Sequence, residues 1–271
     1  MIRELEAELS APLLQRSTTG VLATAQGQVL YERALAARRE LDEAVQQIEQ
    51  LGGRMQGELS VAAVPLAVLM LIPEALRTYG REFPDIALRV REELYMAQLT
   101  LLRTGEVDIA LGPIPDGLPA GEFHVEPLMP IRMAVVAARG SRWLQCRNLA
   151  ELGQAKWVYT SLAGATGYAH LLFQHHGLQA PAAAAVVNST LGLLSLIAHG
   201  DHVGLMPAQI AAHPAASPFM QVVPIEQAHL DLTIGAMLRA TTLLKPALRH
   251  FMAHLHRAAH QLEQGALHNA S

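Results

Sequence analysis

Histidine is the first side chain to consider for chemistry, because the chain carries 13 histidines but only one cysteine. Four of them form two pairs four residues apart, which are His250 with His254 and His256 with His260. That spacing places both imidazoles of a pair on one face of a helix, where they can chelate a metal ion. A thiolate cluster is excluded, and Glu263 is the one carboxylate nearby. We therefore predict no metal site and interpret these histidines as a solvated helix face.

Catalytic patterns are not found either. Ser161 and Ser189 lack the Gly-x-Ser-x-Gly turn that exposes a hydrolase nucleophile. The glycine patterns of phosphate and dinucleotide sites are missing, and so is the paired-histidine helix of zinc proteases. We find no paired acid and base groups. The sequence therefore predicts a protein that is not an enzyme and that uses no cofactor.

Composition indicates a well-packed protein. Hydrophobic residues make up 51% and charged residues 16%, which favours a sizeable core. The net charge of -4 does not support non-specific nucleic-acid binding by the whole chain. A single cysteine fits a reducing compartment. The first ten residues do not resemble an export signal, and no run of about 18 apolar residues predicts a membrane span. We expect a cytoplasmic protein without a membrane partner.

The first fifty residues predict a hairpin followed by a long helix. Residues 11–24 contain the turn-rich cluster of a hairpin, and Thr24 is a suitable N-cap for a helix over residues 25–52. Apolar residues repeat along this helix at spacings of four and three, which are Leu30, Ala34, Ala37, Leu41, Ala44, Ile48 and Leu51. Such a heptad seam favours dimerisation with another chain. Packing on its own domain is the alternative, and residues 53–57 form a hinge.

From Glu58 onward strands and helices alternate. Strands are predicted at 58–64, 86–91, 107–111, 133–138, 157–160, 184–187, 203–206 and 232–238. Helices are predicted at 65–79, 97–104, 167–176, 191–199 and 245–264. This order is typical of an α/β fold with helices on both faces of a sheet. Two similar units joined by two crossovers, near residues 128–132 and 228–233, are expected.

The order of several short motifs resembles the LysR-type transcriptional regulators over nearly the whole chain. The end of a DNA-reading helix is matched by Ile2-Arg3-x-Leu5-Glu6-x-x-Leu9, and its wing by Leu13-Leu14 with Arg16 and by Thr24-x-x-Gly27. The ligand-binding part is matched by Arg81-Glu82-Phe83-Pro84-Asp85 and by Leu102-Arg103-x-Gly105-x-Val107-Asp108-Ile109-Ala110-Leu111.

This resemblance implies a two-lobed effector domain like that of periplasmic solute-binding proteins. It follows a partial winged helix-turn-helix (residues 1–24) and a linker and dimerisation helix with its hinge (residues 25–57). Lobe I comprises residues 58–130 and 230–271, and lobe II residues 131–229. Ligands of such folds bind beyond the carboxyl ends of strands. The implied effector-binding residues are Val64, Pro65, Leu66, Tyr95, Gly112, Pro113, Thr160, Ser161, Thr166, Asn188, Met206 and Pro207.

One departure from the family pattern shapes the expected ligand. Many members place Ser or Thr where this chain has Pro65 and Leu66, which offer no hydroxyl. We therefore predict that lobe II supplies most polar contacts through Thr160, Ser161 and Asn188, against an apolar wall from lobe I. An effector with a polar or anionic group on an apolar body fits this arrangement. Alternatively, these three residues merely cap helices and turns.

The resemblance also implies that the front of the DNA-binding domain, about thirty residues, is missing before Met1. Residues 1–54 carry six arginines and eight acidic residues, so only weak phosphate contacts by Arg3 and Arg16 are expected. The start lies too far downstream, the chain is cut, or a short form is real. We expect a homodimer or tetramer that contacts promoter DNA only in a full-length form. The alternatives are an effector-binding protein that pairs with or sequesters a full-length regulator, and a cytoplasmic solute-binding protein.

Overall fold

A computed structural model describes residues 2–17, 20–160, 167–225, 229–240 and 244–269. Its helices are α1 Ile2–Glu8, α2 Ala25–Leu51, α3 Ile72–Glu82, α4 Tyr95–Arg103, α5 Tyr168–His175, α6 Thr190–His199, α7 Ala208–Ala212 and α8 Pro246–Asn269. Its strands are β1 Leu14–Ser17, β2 Gly20–Ala23, β3 Gly57–Ala63, β4 Ile86–Glu92, β5 Ile109–Pro113, β6 Phe123–Ala138, β7 Lys156–Tyr159, β8 Ala183–Val186, β9 His202–Pro207, β10 Met220–Val222 and β11 His229–Arg239.

The N-terminal hairpin and long helix confirm their predictions, and side-chain contacts join them. Thr24 caps α2 by accepting a hydrogen bond from the Gly27 amide at 3.0 Å. Glu6 of α1 accepts hydrogen bonds from the amides of Leu13 and Leu14. Gly27 packs directly on the Leu13 backbone, since a Cβ at residue 27 would lie 1.9 Å from the Leu13 carbonyl oxygen. Glycine is therefore required by space at this junction.

The predicted α/β fold with two lobes is confirmed, and two long strands connect the lobes. The strand order is β4-β3-β5-β11-β6-β9-β7-β8, with β10 paired to β6. In the first lobe β3 runs parallel to β4 and β5, and in the second β7 runs parallel to β8 and β9. The strands β6 and β11 pair antiparallel with each other and extend into both lobes.

The crossovers are longer than predicted. The strand expected over residues 133–138 begins at Phe123, and that expected over residues 232–238 begins at His229. The sequence pattern did not predict the first half of β6, because this half contains Pro127 and Pro130 and proline lacks the amide donor that strands use. The Thr233 carbonyl in β11, in register with Pro130, accepts a hydrogen bond from Ile114 instead. A register shift between Ile234 and Gly235 marks a bulge in this ribbon.

Other boundaries differ by a few residues. The helix predicted at 65–79 continues to Glu82 and contains a π-helical segment, Ala67–Leu71. The helix predicted at 97–104 covers Tyr95–Arg103 and begins after the extended residue Leu94. The strand predicted at 107–111 covers Ile109–Pro113, so Gly112 and Pro113 lie within it. The last helix reaches Asn269 rather than residue 264.

The interpretation of the α8 histidines as a solvated face is wrong for His254, which is 2% exposed. Its Nδ1 lies 2.6 Å from the Thr78 hydroxyl and its Nε2 lies 3.2 Å from a Glu82 carboxylate oxygen. Both partners belong to α3, which packs against α8. Burial lowers the pKa of the His254 imidazole, with Arg257 and His250 acting in the same direction and Glu82 opposing them.

Candidate functional site

The carboxyl ends of β5 and β9 point towards each other along the β6–β11 ribbon and leave a gap between them. Strand β5 is antiparallel to β11 and ends at Pro113, which is in register with Ile234 and through it with Met129 of β6. Strand β9 runs in the opposite direction to β5 and ends at Pro207, in register with Met133. Four residues of β6 separate the two positions, about 13 Å of extended chain. A crevice between opposed strand ends is where α/β folds bind ligands.

The predicted residues of lobe I lie at or just after the carboxyl ends of β3, β4 and β5, on the lobe I side of this gap. Val64 follows β3 and is 9% exposed, and its amide donates to the Leu111 carbonyl at 2.8 Å. Pro65 is half-buried, whereas Gly112 and Pro113 are buried at the end of β5. Leu66 is 2% exposed and packs in the apolar core, so its side chain presents no surface to a ligand. These described residues are apolar, and the predicted division of polar contacts between the two lobes stays a prediction.

Gln98 is a residue of this wall that sequence reasoning missed. It lies on α4, three residues beyond Tyr95, the first residue of that helix, and is fully buried. Its side-chain Nε2 donates to the carbonyls of Glu93 and Leu111. A signal was present in the sequence, because Gln98 precedes Leu102 by one helical turn on an otherwise apolar stripe.

The predicted residues of lobe II are only partly brought to the gap. Thr160 follows β7 and is half-buried, and Asn188 is exposed beyond β8. Ser161 and Thr166 lie outside the described residues. Met206 is 2% exposed and packs in the core, because β9 is covered on both faces and its four inner residues are all buried. The cap of α6 is Ser189, whose hydroxyl accepts from the Gly192 amide at 3.2 Å, so Asn188 is not that cap.

A second polar region lies at the opposite edge of lobe I, under α2. A cavity of about 400 Å³ is found there. Its charged lining residues come from α2, from β3 and β4, and from the segments before β5 and α8. They are Arg39, Asp42, Glu43, Glu58, Arg89, Arg91, Glu106, Asp108 and Lys245. Five carboxylates and four cations alternate around it, so the cavity has no strong preference for one sign of charge. We interpret it as a hydrated contact between α2 and lobe I.

Ion pairs hold α2 to lobe I beside this cavity. Arg239 contacts Glu40 at 2.6 Å and Glu43 at 3.4 Å. Lys245 contacts Asp108 at 2.6 Å and Glu43 at 3.8 Å. Burial raises the pKa of the Glu43 carboxyl above its ordinary value, although Lys245 lowers it. The side-chain oxygen of Gln50, near the end of α2, accepts from the Ala247 amide at 3.1 Å.

The predicted seam of α2 lies on the face away from lobe I. Leu41 is 70% exposed, Ile48 69% and Leu51 77%. Ala34, Ala37 and Ala44 are also exposed, and Leu30 is half-buried. The helix thus packs on its own lobe, as in the alternative reading, but through polar residues. Its apolar stripe has no partner among the residues that the structure describes, a pattern that favours a contact with another molecule.

The two predicted DNA contacts lie on the N-terminal elements. Arg3 is exposed on α1, and Arg16 lies on β1 with its side chain outside the described set. Within the described ranges, no group of three or more His, Cys, Asp or Glu side chains is arranged to hold a metal ion. None of the helices formed by described residues is long and apolar enough to cross a membrane.

Residues 52–260 match the family model for the LysR substrate binding domain. The HTH-type transcriptional regulator GalR of Pseudomonas putida is 28% identical over 258 residues, covering 93% of this chain and 64% of that protein. The HTH-type transcriptional regulator TdcA of Escherichia coli is 22% identical over 229 residues, covering 84% of this chain and 72% of that protein. The chain therefore spans about two thirds of the length of these curated relatives.

Two solved structures share the fold. CbnR, a LysR family transcriptional regulator, aligns with a TM-score of 0.68 at 22% identity and covers 95% of this chain and 87% of its own. The effector binding domain of QuiR in complex with shikimate aligns with a TM-score of 0.66 at 15% identity, covering 76% of this chain and 98% of its own. The first likeness includes the N-terminal part of this chain, and the second is confined to the effector domain.

Proposed function

This chain belongs to the LysR family, and from that membership we propose that it binds a small effector between its two lobes and takes part in the control of transcription. The observation that carries the proposal is the convergence of β5 and β9, whose ends at Pro113 and Pro207 face each other across the β6–β11 ribbon. The effector domain of QuiR, which has the same fold, was solved in complex with shikimate.

The proposed domain division follows the crossover strands. In this division residues 1–24 correspond to the end of the family's winged helix-turn-helix, and residues 25–57 to the linker helix with its hinge. Residues 58–130 with 230–271 make up lobe I, and residues 131–229 make up lobe II. The bulge near Gly235 supports a boundary at this place, because an irregular ribbon bends more easily than a regular one.

The proposed effector has a polar or anionic group on an apolar body. Lobe I contributes apolar residues, the half-buried Pro65 beside the buried Val64 and Pro113, while Thr160 and Asn188 offer lobe II a hydroxyl and a carboxamide. Asn188 has no capping role at α6, where Ser189 serves instead, and this supports its availability to a ligand. Binding across both lobes would favour one lobe arrangement over another and so shift a conformational equilibrium.

We propose that the exposed seam of α2 forms a homodimer, the assembly that would bring two effector domains together. Promoter DNA would be bound through the family's winged helix-turn-helix, and a tetramer is the larger assembly within the same proposal. The same seam also supports a second candidate function, in which this chain pairs with a longer relative and sequesters it. We propose no catalytic role and, by analogy with the regulators it resembles, a cytoplasmic location.

The experiment that tests effector binding is a thermal-unfolding screen of the purified chain against small hydroxylated and aromatic carboxylates, including shikimate. A compound that binds the folded state raises the midpoint temperature in a concentration-dependent manner. Thr160→Val and Asn188→Ala should weaken that response at least tenfold in concentration. Gln221→Ala is the matched control, because Gln221 is exposed on β10, in register with Ala137 and away from the gap. An equal loss in all three variants would contradict the proposed site.

A further inference from the structure

The carboxamide of Gln98 joins two strand ends that form the lobe I wall of the gap. Its Nε2 donates to the Glu93 carbonyl at 2.9 Å, just after β4, and to the Leu111 carbonyl at 3.3 Å, within β5. The Leu111 carbonyl also accepts from the amide of Val64, just after β3. One fully buried side chain is therefore connected to the ends of all three parallel strands of the lobe.

The other atom of this carboxamide is unpaired. Gln98 Oε1 is buried and has no hydrogen-bond partner among the residues that the structure describes. It lies 2.7 Å from the position that a Cβ on residue 112 would occupy, and Val64 Cγ1 lies 3.3 Å from the same point. Gly112 does not have a positive φ, so glycine is needed here for space rather than for conformation.

Packing alone does not account for glutamine at this position. The neighbours on the same helix, Leu99 and Leu102, belong to an apolar cluster, and a methionine would fill the same volume without an unsatisfied oxygen. Retaining a buried polar group with one unpaired atom is unfavourable for stability. An apolar side chain at residue 98 could not form the two hydrogen bonds that Gln98 Nε2 donates.

We propose that Gln98 is a positioning residue of the effector gap, and that Gly112 is glycine because the Gln98 carboxamide occupies the space beside it. The carboxamide holds the segments after β3 and β4 in fixed relation to β5, and so sets the shape of the lobe I wall. This inference rests on the proposed function for its consequence, since it concerns the wall against which the effector would bind. The structural part of the inference, that Gln98 holds the three strand ends together, can be tested on the chain without any ligand.

The first test measures hydrogen exchange of backbone amides in the ligand-free chain. In Gln98→Met, the amides of Val64 and Glu93 should exchange roughly tenfold faster, because the segments they anchor open locally. Leu102→Val is the matched control, one helical turn away in the same cluster, and it should lower global stability without this local effect. Unchanged exchange at both amides in Gln98→Met, or the same pattern in the control, would overturn the proposal.

The second test is a double-mutant cycle that asks whether residues 98 and 112 are coupled. Gly112→Ala should accelerate exchange at Val64 and Glu93, because its methyl group displaces the carboxamide. In a Gln98→Ala background the same substitution should have little further effect, because the obstructing oxygen is gone. Additive effects would contradict the coupling. If residues 98 and 112 are coupled but no compound raises the midpoint temperature in the thermal screen, the positioning role of Gln98 holds and only the proposed function is contradicted.

Discussion

Lys245 Nζ lies 2.6 Å from Asp108 Oδ1, and both side chains are nearly buried, at 5% and 8% exposure. The pair joins the segment before α8 to the residue before β5, and Asp108 Oδ2 also accepts from the Ser60 amide of β3 at 2.7 Å. Glu43 of α2 lies 3.8 Å from the same ammonium group. Through Asp108 and Glu43, Lys245 therefore connects β3, the segment before β5 and the segment before α8 with the linker helix α2.

Removing one partner of this pair should destabilise the chain strongly. Lys245→Met leaves Asp108 buried without its cation, and the expected loss is about 3–5 kcal/mol in the free energy of unfolding. The double variant Asp108→Asn with Lys245→Met should recover much of it, because the asparagine oxygen can still accept from Ser60 and residue 108 then carries no charge. Urea denaturation measures both. A double variant as unstable as Lys245→Met would show that the charge pair is not the cause.

Charges placed on the exposed seam of α2 should weaken self-association. Leu41→Lys and Ile48→Lys each remove apolar area from both copies of a dimer, which should raise the dissociation constant roughly a hundredfold. Sedimentation velocity over a concentration series measures the change. Gln28→Lys adds the same charge on the opposite face of the helix and serves as the control. A chain that is monomeric before substitution, or a control with an equal effect, would contradict dimerisation through this seam.

Gly27→Ala should disturb the junction between the hairpin and α2. The added methyl group would lie 1.9 Å from the Leu13 carbonyl oxygen, so the hairpin must shift, and a loss of about 1–3 kcal/mol is expected. Thermal unfolding measures it. Gly265→Ala is the opposite control, because no atom lies within 4 Å of a Cβ there and alanine favours the helix. The prediction fails if both substitutions stabilise the chain.

His254 should make stability depend on pH. Its pKa is lowered in the folded chain, mainly by burial, so the unfolded chain binds the proton more tightly. The contribution of neutral His254 is therefore present above about pH 6.5, the unfolded value, and is lost as the pH falls towards the lower folded value. Urea denaturation between pH 7.5 and 5 should show a steeper fall for the unmodified chain than for His254→Gln. Parallel curves would exclude His254 as the source.

The sequence alone predicted the elements whose signals are local. The cap at Thr24, the hairpin before it and the heptad spacing of α2 depend on residues close together in the chain, and each lies where expected. The alternation of strands and helices from Glu58 onward likewise predicted the α/β fold, because each element carries its own apolar period. The order of short motifs was sufficient to indicate the family.

Tertiary structure decided the features that depend on residues far apart in sequence. The long strand β6 forms despite Pro127 and Pro130, because β11 pairs with it from Phe123 to Ala134. His254 is buried because α3 covers that face of α8, whereas periodicity within α8 does not reveal what packs against it. Gln98 becomes a connection between three strand ends only when parallel pairing places them at one edge. Local pattern fixes an element's type, but contacts across the fold determine which polar side chains it buries and what they bind.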